Sequence, residues 1–462
     1  MGTQTVQLEA RSSSFLAGLT AILGGQAANV LLAFLSEVCV ARILGPGPRG
    51  QISVATMAIW FGAVLGGLGG EIPIVIWAAA RNKKTSEWLS VIAIWGLLGC
   101  CVAELIWWLV YSRWHATVLQ GLTADLLALV TISIPVAIVF NYLIALLTGL
   151  EQFRGRAVTA ILQSAVGLLA FLLLVAIHRR SAASRIWGNW IGLAASALFA
   201  VLLLRKIALS VDWKSITPRF DREVRSALLV GLYGNFGNVA SLFTYRLDVF
   251  VVNYFLDPTQ VGLYAVGVTV SESLWQIPQA VATAVFPRTA RTVDGDAASF
   301  TCLLLRQVLL LSCISGAALA VASPVLIPAV FGRRFAPSVP VIWWLLPGTI
   351  ALGLGKIAAS DLAGRGKTGY SSVSAIVALL LTLTLDLLLI PRMGIQGAAL
   401  ASSLAYMANS TLLLAATRFE LKVRWSALLL PSLAEFTRYK ELWRNLEHRA
   451  LTALHSRLTR KR

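Results

Sequence analysis

The chain has 462 residues, of which 57% are hydrophobic and only 13% charged, with a mean hydropathy of +0.76. Soluble domains carry about 25% charged residues, so this composition excludes an ordinary soluble protein. The formal net charge of +18 would raise nucleic acid as a partner, but the basic residues lie in short connections and one tail. That placement orients a membrane protein and leaves no nucleic-acid partner to expect.

The apolar run that begins near Phe15 continues to about Ala41, too long for the core of a cleaved signal peptide. It is the first of twelve expected spans, each long enough to cross a ~30 Å hydrocarbon layer as a helix. The others are placed at 52–79, 88–111, 124–150, 156–177 and 186–204, then 227–254, 261–286, 302–330, 337–362, 369–390 and 396–416. With the N-terminus inside, the inner connections and tail hold roughly three times as many Lys and Arg as the outer connections, which predicts that both termini are cytoplasmic. Five cysteines, Cys39, Cys100, Cys101, Cys302 and Cys313, all fall within apolar runs and read as core residues.

The longest internal connection divides the chain into an N-terminal six-helix bundle (1–204), a cytoplasmic linker (205–225) and a C-terminal six-helix bundle (226–416). A basic tail follows at 417–462. Leu44, Pro46, Gly50 and Val54 recur in register as Leu256, Pro258, Gly262 and Val266, each set at the first outer turn of its half. Ile72-Pro73 in the second span is answered by Ile277-Pro278 in the eighth. An even number of spans per half makes such repeats parallel, with a substrate path expected at their interface. In the tail, Leu433, Phe436, Trp443, Leu446, Ala450 and Leu454 recur at helical spacing, which predicts an amphipathic helix on the cytoplasmic lipid surface.

A charge within a span costs about 2.5–3.5 kcal/mol on insertion scales, so each one needs an interior, a partner or water. Arg246 and Asp248 stand about 200° apart around one helix and cannot simply neutralise each other. Arg246 reads as an anion contact facing a cavity or as a packing residue, and Asp248 as a partner of another helix. Lys356, after Gly353 and Gly355, either meets an anionic headgroup or snorkels to the inner surface. Glu37, Glu71, Glu104, Glu272 and Asp386 are the other acidic residues within spans, and Asp361 lies near a span end. Of these, Glu71 beside Pro73 is the first choice for binding a coupling cation or proton. Gly62, Gly66 and Gly70 offer a smooth face to a neighbouring helix.

Catalytic signatures are lacking. Gly366-Lys367-Thr368 resembles the end of a phosphate-binding loop, yet its leading glycine position holds Asp361. The sequon at Asn409 falls within a span, and the four histidines show no metal spacing. No enzyme activity, metal or cofactor is expected.

Several strings together identify a likeness. They are Ala41-Arg42-Ile-Leu44-Gly45-Pro46 with Gly50, Arg246-Leu-Asp248, Val261-Gly262-Leu-Tyr264-Ala265 with Pro287-Arg288, Leu362-Ala-Gly364-Arg-Gly366-Lys367, and Ile390-Pro391-Arg392-Met-Gly394 through Leu400. In order and position they resemble the polysaccharide biosynthesis, or O-antigen-type oligosaccharide flippase, family of the multidrug/oligosaccharidyl-lipid/polysaccharide exporter superfamily. The resemblance implies an all-α polytopic fold, a V of two six-helix halves around a central cavity. It also implies movement of a polyprenyl-pyrophosphate-linked oligosaccharide from the cytoplasmic to the outer leaflet of a bacterial inner membrane, for surface polysaccharide assembly. Arg246 and Lys356 then become pyrophosphate or acidic-sugar contacts, with Arg42 and Arg49 at the cavity mouth. Glu71, Asp248, Glu37, Glu272 and Asp361 become ion-coupling or helix-pairing residues. Membrane lipid, a polysaccharide polymerase and glycosyltransferases are the implied partners. The rival readings are a cation-coupled multidrug exporter of the same superfamily, a peptidoglycan-precursor flippase, and a membrane scaffold for glycan synthesis.

Overall fold

A computed structural model describes residues 28–80, 85–177, 180–207, 222–291 and 295–430. The expected amphipathic tail helix and most of the expected linker lie outside these residues. The described chain is helical, with no strand: α1 (28–44), α2 (Pro46–Gly66), α3 (Glu71–Ala80), α4 (Thr85–Trp114), α5 (Ala124–Gly149), α6 (Phe153–Ala176), α7 (Ala182–Ile207) and α8 (Arg222–Phe255). Then follow α9 (Pro258–Glu272), α10 (Gln276–Arg291), α11 (Gly295–Phe331), α12 (Val339–Gly364), α13 (Gly369–Met393), α14 (Ile395–Leu421) and the short α15 (Trp425–Leu429).

Eight described helices are long and apolar enough to cross a membrane, and a ninth span results if α2 and α3 are taken as one bent segment. The expected count of twelve is therefore not reached by length and composition among the described residues. The difference lies in three places. The described part of α1 is short, α8 carries Arg246 and Asp248 together with several polar residues, and the expected span 261–286 is divided. A 3₁₀ turn at Ser273–Trp275 separates α9 from α10, which have 15 and 16 residues.

The second expected span is also divided. α2 and α3 meet at a 58° bend across Gly67–Gly70, where Leu68 (φ 47) and Gly69 (φ 68) turn left-handed. A run of glycines makes this turn accessible, and side chains satisfy the carbonyls it frees. Tyr142 Oη donates to Gly67 O at 2.7 Å, and Asn235 Nδ2 donates to Val64 O at 3.3 Å. Breaks at corresponding places in two repeated halves are the feature by which discontinuous-helix transporters mark a binding site.

The described residues form two compact units. In the first, which contains everything up to Ser271 with Ala320–Leu346 and Ala375–Ala405, α5 is the hub against which α2, α3, α4 and α7 pack. Small residues allow the close approaches. A Cβ on Gly62 would press on Ile134, and one on Gly66 would meet Ala103 and the Gly99 carbonyl. Gly167 and Gly188 do the same between α6 and α7. The repeated turns also meet here: a Cβ on Gly50 would overlap Pro258 O, and one on Gly262 would overlap Pro46 O. Nearby contacts come within one residue of the same exchange. Arg42 Nε donates to Val330 O at 2.7 Å, while Asn253 Nδ2 donates to Val118 O at 2.8 Å. Val118 and Val330 are separated by the same interval as Pro46 and Pro258.

In the second unit, Glu272–Leu319, Pro347–Ser374 and the described residues from Tyr406 onward share an apolar core. Val285, Leu305, Ile357 and Leu362 are fully buried there, and Leu428 of α15 joins them.

Candidate functional site

Five helices of the first unit leave a half-open polar cavity of about 250 Å³. Pro46 in the first turn and Gly45 at φ 81 start α2 sharply after α1, and this corner sets Glu37 of α1 opposite Arg49. The Arg49 Nη2 to Glu37 Oε2 distance is 2.6 Å, and Arg49 also donates to Ser53 Oγ. Ser53, Thr56 and Met57 of α2 line the same space, as do Arg185 and Asn189 of α7, Arg246 of α8 and Thr269 of α9. Among the described residues, three guanidinium groups and one carboxylate line this cavity together with the Asn189 amide and the hydroxyls of Ser53, Thr56 and Thr269. Such a lining favours an anion with hydroxyl groups over a hydrophobic cation.

A second cavity, about 270 Å³, continues along the same faces of α2 and α8. On α2, Trp60, Val64 and Gly67 follow Arg49, Ser53 and Thr56 at helical spacing, ending at the bend. Glu71 opens α3 here, beside Asn235 and Tyr245 of α8. On their other faces α2 and α8 line an apolar groove with α4, and Phe61 stacks edge-on against Phe243 and Phe250 along the seam.

The residues singled out from the sequence separate into distinct surroundings. Arg246, Arg49 and Glu37 come together in the first cavity, and Glu71 lines the second. Asp248 turns away from Arg246, as their angular separation requires. It is 2% exposed, accepts from Tyr264 Oη and Ser402 Oγ, and is joined in the core by Asp386, which is fully buried. Arg42 lines neither cavity. Its guanidinium serves the carbonyl oxygens of Val330 and Ala329 at the end of α11.

Lys356 belongs to the second unit, where its Nζ donates to Gln279 Oε1 at 2.8 Å and lies 4.4 Å from the centre of the Trp275 ring. Glu272 is nearly buried at the end of α9. Asp361 is fully buried, accepting from Thr301 Oγ1 at 2.8 Å and from Arg365 in a two-pronged pair.

Sequence reading missed Arg185, Asn189 and Asn235. The apolar run places Arg185 just before a span starting at 186, but α7 begins at Ala182, one turn earlier. Asn189 and Asn235 lie within apolar stretches, where an uncharged amide gives only a weak signal.

Residues 15–293 match the family described as polysaccharide biosynthesis protein. The probable low-salt glycan biosynthesis flippase Agl15 of Haloferax volcanii is 26% identical over 230 residues, covering 48% of this chain and 49% of that protein. The succinoglycan biosynthesis transport protein ExoT of Rhizobium meliloti is 25% identical over 332 residues, covering 70% and 63%. The matched stretch therefore spans about half to two thirds of these curated relatives. Among solved structures, the lipid II flippase MurJ in an inward closed conformation has the same fold, with a TM-score of 0.68 at 14% identity and 87% of each chain covered. With more than half its length matched and the fold shared, this multi-pass membrane protein belongs to the polysaccharide biosynthesis protein family.

Proposed function

We propose that the chain moves a lipid-linked oligosaccharide across the cytoplasmic membrane for surface polysaccharide assembly, with a polyprenyl-pyrophosphate-linked sugar unit as substrate. The observation that carries this reading is the cavity in which Arg49, Arg185 and Arg246 face Glu37. A diphosphate and its sugars cannot enter hydrocarbon unaided. Guanidinium groups match phosphate oxygens in charge and fork geometry, while Asn189, Thr56 and Thr269 offer partners for sugar hydroxyls. The lipid tail stays in the bilayer. The names of the two curated relatives, a glycan flippase and a succinoglycan transport protein, support the same reading.

In this proposal Asp248 with Tyr264, Ser402 and buried Asp386 forms the coupling centre. Glu71 guards the second cavity, and Lys356 and Arg42 hold helices together through the partners described above. The location is a bacterial inner membrane with both termini cytoplasmic, where the flippase hands its substrate from glycosyltransferases to a polymerase. The cation-coupled drug exporter is the weaker alternative, because its substrate would meet three arginines.

The test is reconstitution in liposomes with a fluorescent polyprenyl-diphosphate oligosaccharide, following its accessibility to a membrane-impermeant quencher. Protein-dependent flipping that Arg246→Ala slows supports function and site together. Flipping that the substitution leaves unchanged removes the site. Export of hydrophobic cations without lipid flipping selects the rival.

A further inference from the structure

Among the described residues Glu37 is the one carboxylate lining the arginine cavity, and it is aimed at Arg49. The pair spans the sharp corner between α1 and α2, with side-chain exposures of 8% for Arg49 and 27% for Glu37. Arg49 is further held by Ser53 within its own helix, so its guanidinium is fixed in place, whereas Glu37 lies at the open side of the pair.

We infer that Glu37 is the cavity's internal counter-ion: it competes with the substrate's diphosphate for Arg49 and so sets how readily the headgroup is released. This rests on the reading of the cavity as the headgroup site. Without Glu37, Arg49 would bind the anion tightly and hold it. The Glu37 carboxylate offers Arg49 a partner as the diphosphate leaves, so release does not strand a desolvated cation. Binding in the forward direction exchanges one anionic partner of Arg49 for another. The same carboxylate adds a repulsive element against ligands of higher negative charge.

The experiment uses the full chain in detergent micelles, titrated with inorganic pyrophosphate and separately with geranylgeranyl diphosphate, for wild type, Glu37→Gln, Arg49→Gln and the double variant. Glu37→Gln is expected to tighten binding of both probes about fivefold, the factor equivalent to about 1 kcal/mol of released pairing. Arg49→Gln weakens binding, and adding Glu37→Gln to it produces no tightening, because the carboxylate then has no Arg49 to mask. In liposomes Glu37→Gln slows flipping despite the tighter binding, while Glu37→Asp, which keeps the charge, recovers part of the rate. Absence of binding of either probe, unchanged or weaker binding of both in a folded Glu37→Gln, or tightening that persists without Arg49 would each overturn the inference. Wild-type protein that shows the expected binding cycle yet flips no lipid-linked saccharide would remove the flippase reading and leave the counter-ion standing. Tightening seen only with the geranylgeranyl probe would overturn the inference for free diphosphate and restrict it to a lipid-borne one.

Discussion

At the residue scale, the arrangement separates cations that serve the chain's own backbone from those that face a cavity. Arg42 bonds carbonyl oxygens at the end of α11, whereas Arg185, one turn into α7, lines the polar cavity. A charge-assisted bond to phosphate is worth roughly 1.5–3 kcal/mol, so Arg185→Ala should slow flipping by about tenfold or more while changing the melting temperature little. Arg42→Ala should do the reverse, lowering thermal stability, because two carbonyls at a helix end lose their donor. Comparing initial flipping rates with melting curves for the two variants checks both statements. Asp386 is a separate case, since it is fully buried and neither carboxylate oxygen has a hydrogen-bond partner. Burying such a group is costly, so Asp386→Asn should raise the melting temperature. If the carboxylate serves coupling, the same variant should lose any acceleration of flipping by an imposed ion gradient, and acceleration equal to wild type would count against that role.

At the scale of elements, the informative features are the two interrupted spans. Gly62, Gly66 and Gly70 were legible in the sequence as a smooth packing face, and they do pack, Gly62 against Ile134, Gly66 against Gly99 and Ala103, and Gly70 against Tyr142. The bend was not legible, because a glycine that permits close approach and a glycine that permits positive φ look alike in sequence. Only the partners Tyr142 and Asn235, distant in the chain, select the second use at Gly67–Gly70. The cavity was half legible for a related reason. Arg246 and Glu37 stand out as charges inside apolar runs, whereas Arg185 sits at a helix edge, where a charge is ordinary. Substituting Gly69, at φ 68 and against the Gly231 backbone, by Val should destabilise the protein by more than about 1 kcal/mol and reduce flipping. A Gly69→Val protein with wild-type melting and rate would show that the bend is dispensable.

At the scale of the whole molecule, composition and hydropathy sufficed for the class: an all-helical membrane protein. The count of spans was less secure, because a run of apolar residues does not reveal where a helix stops within it, as at Ser273–Trp275. Charge bias adds an orientation that can be checked directly. If the charge bias sets the orientation, a cysteine introduced at Thr117 should react with a membrane-impermeant maleimide on intact cells, while one at Thr368 should react only after permeabilisation. The opposite pattern would invert the assigned topology.

The contact between Gly50 and Gly262 carries a consequence of a different kind. Each glycine meets the turn that is its own counterpart in the repeat, and the neighbouring contacts exchange to within one residue. A patch that meets itself is the geometry of a symmetric dimer of identical subunits, retained here inside one polypeptide. The two halves should therefore recognise each other without being covalently joined. Chains ending at Ile207 and starting at Arg222, produced separately in one cell, should assemble into a flipping-competent pair, and a bulky residue at either glycine should prevent that assembly.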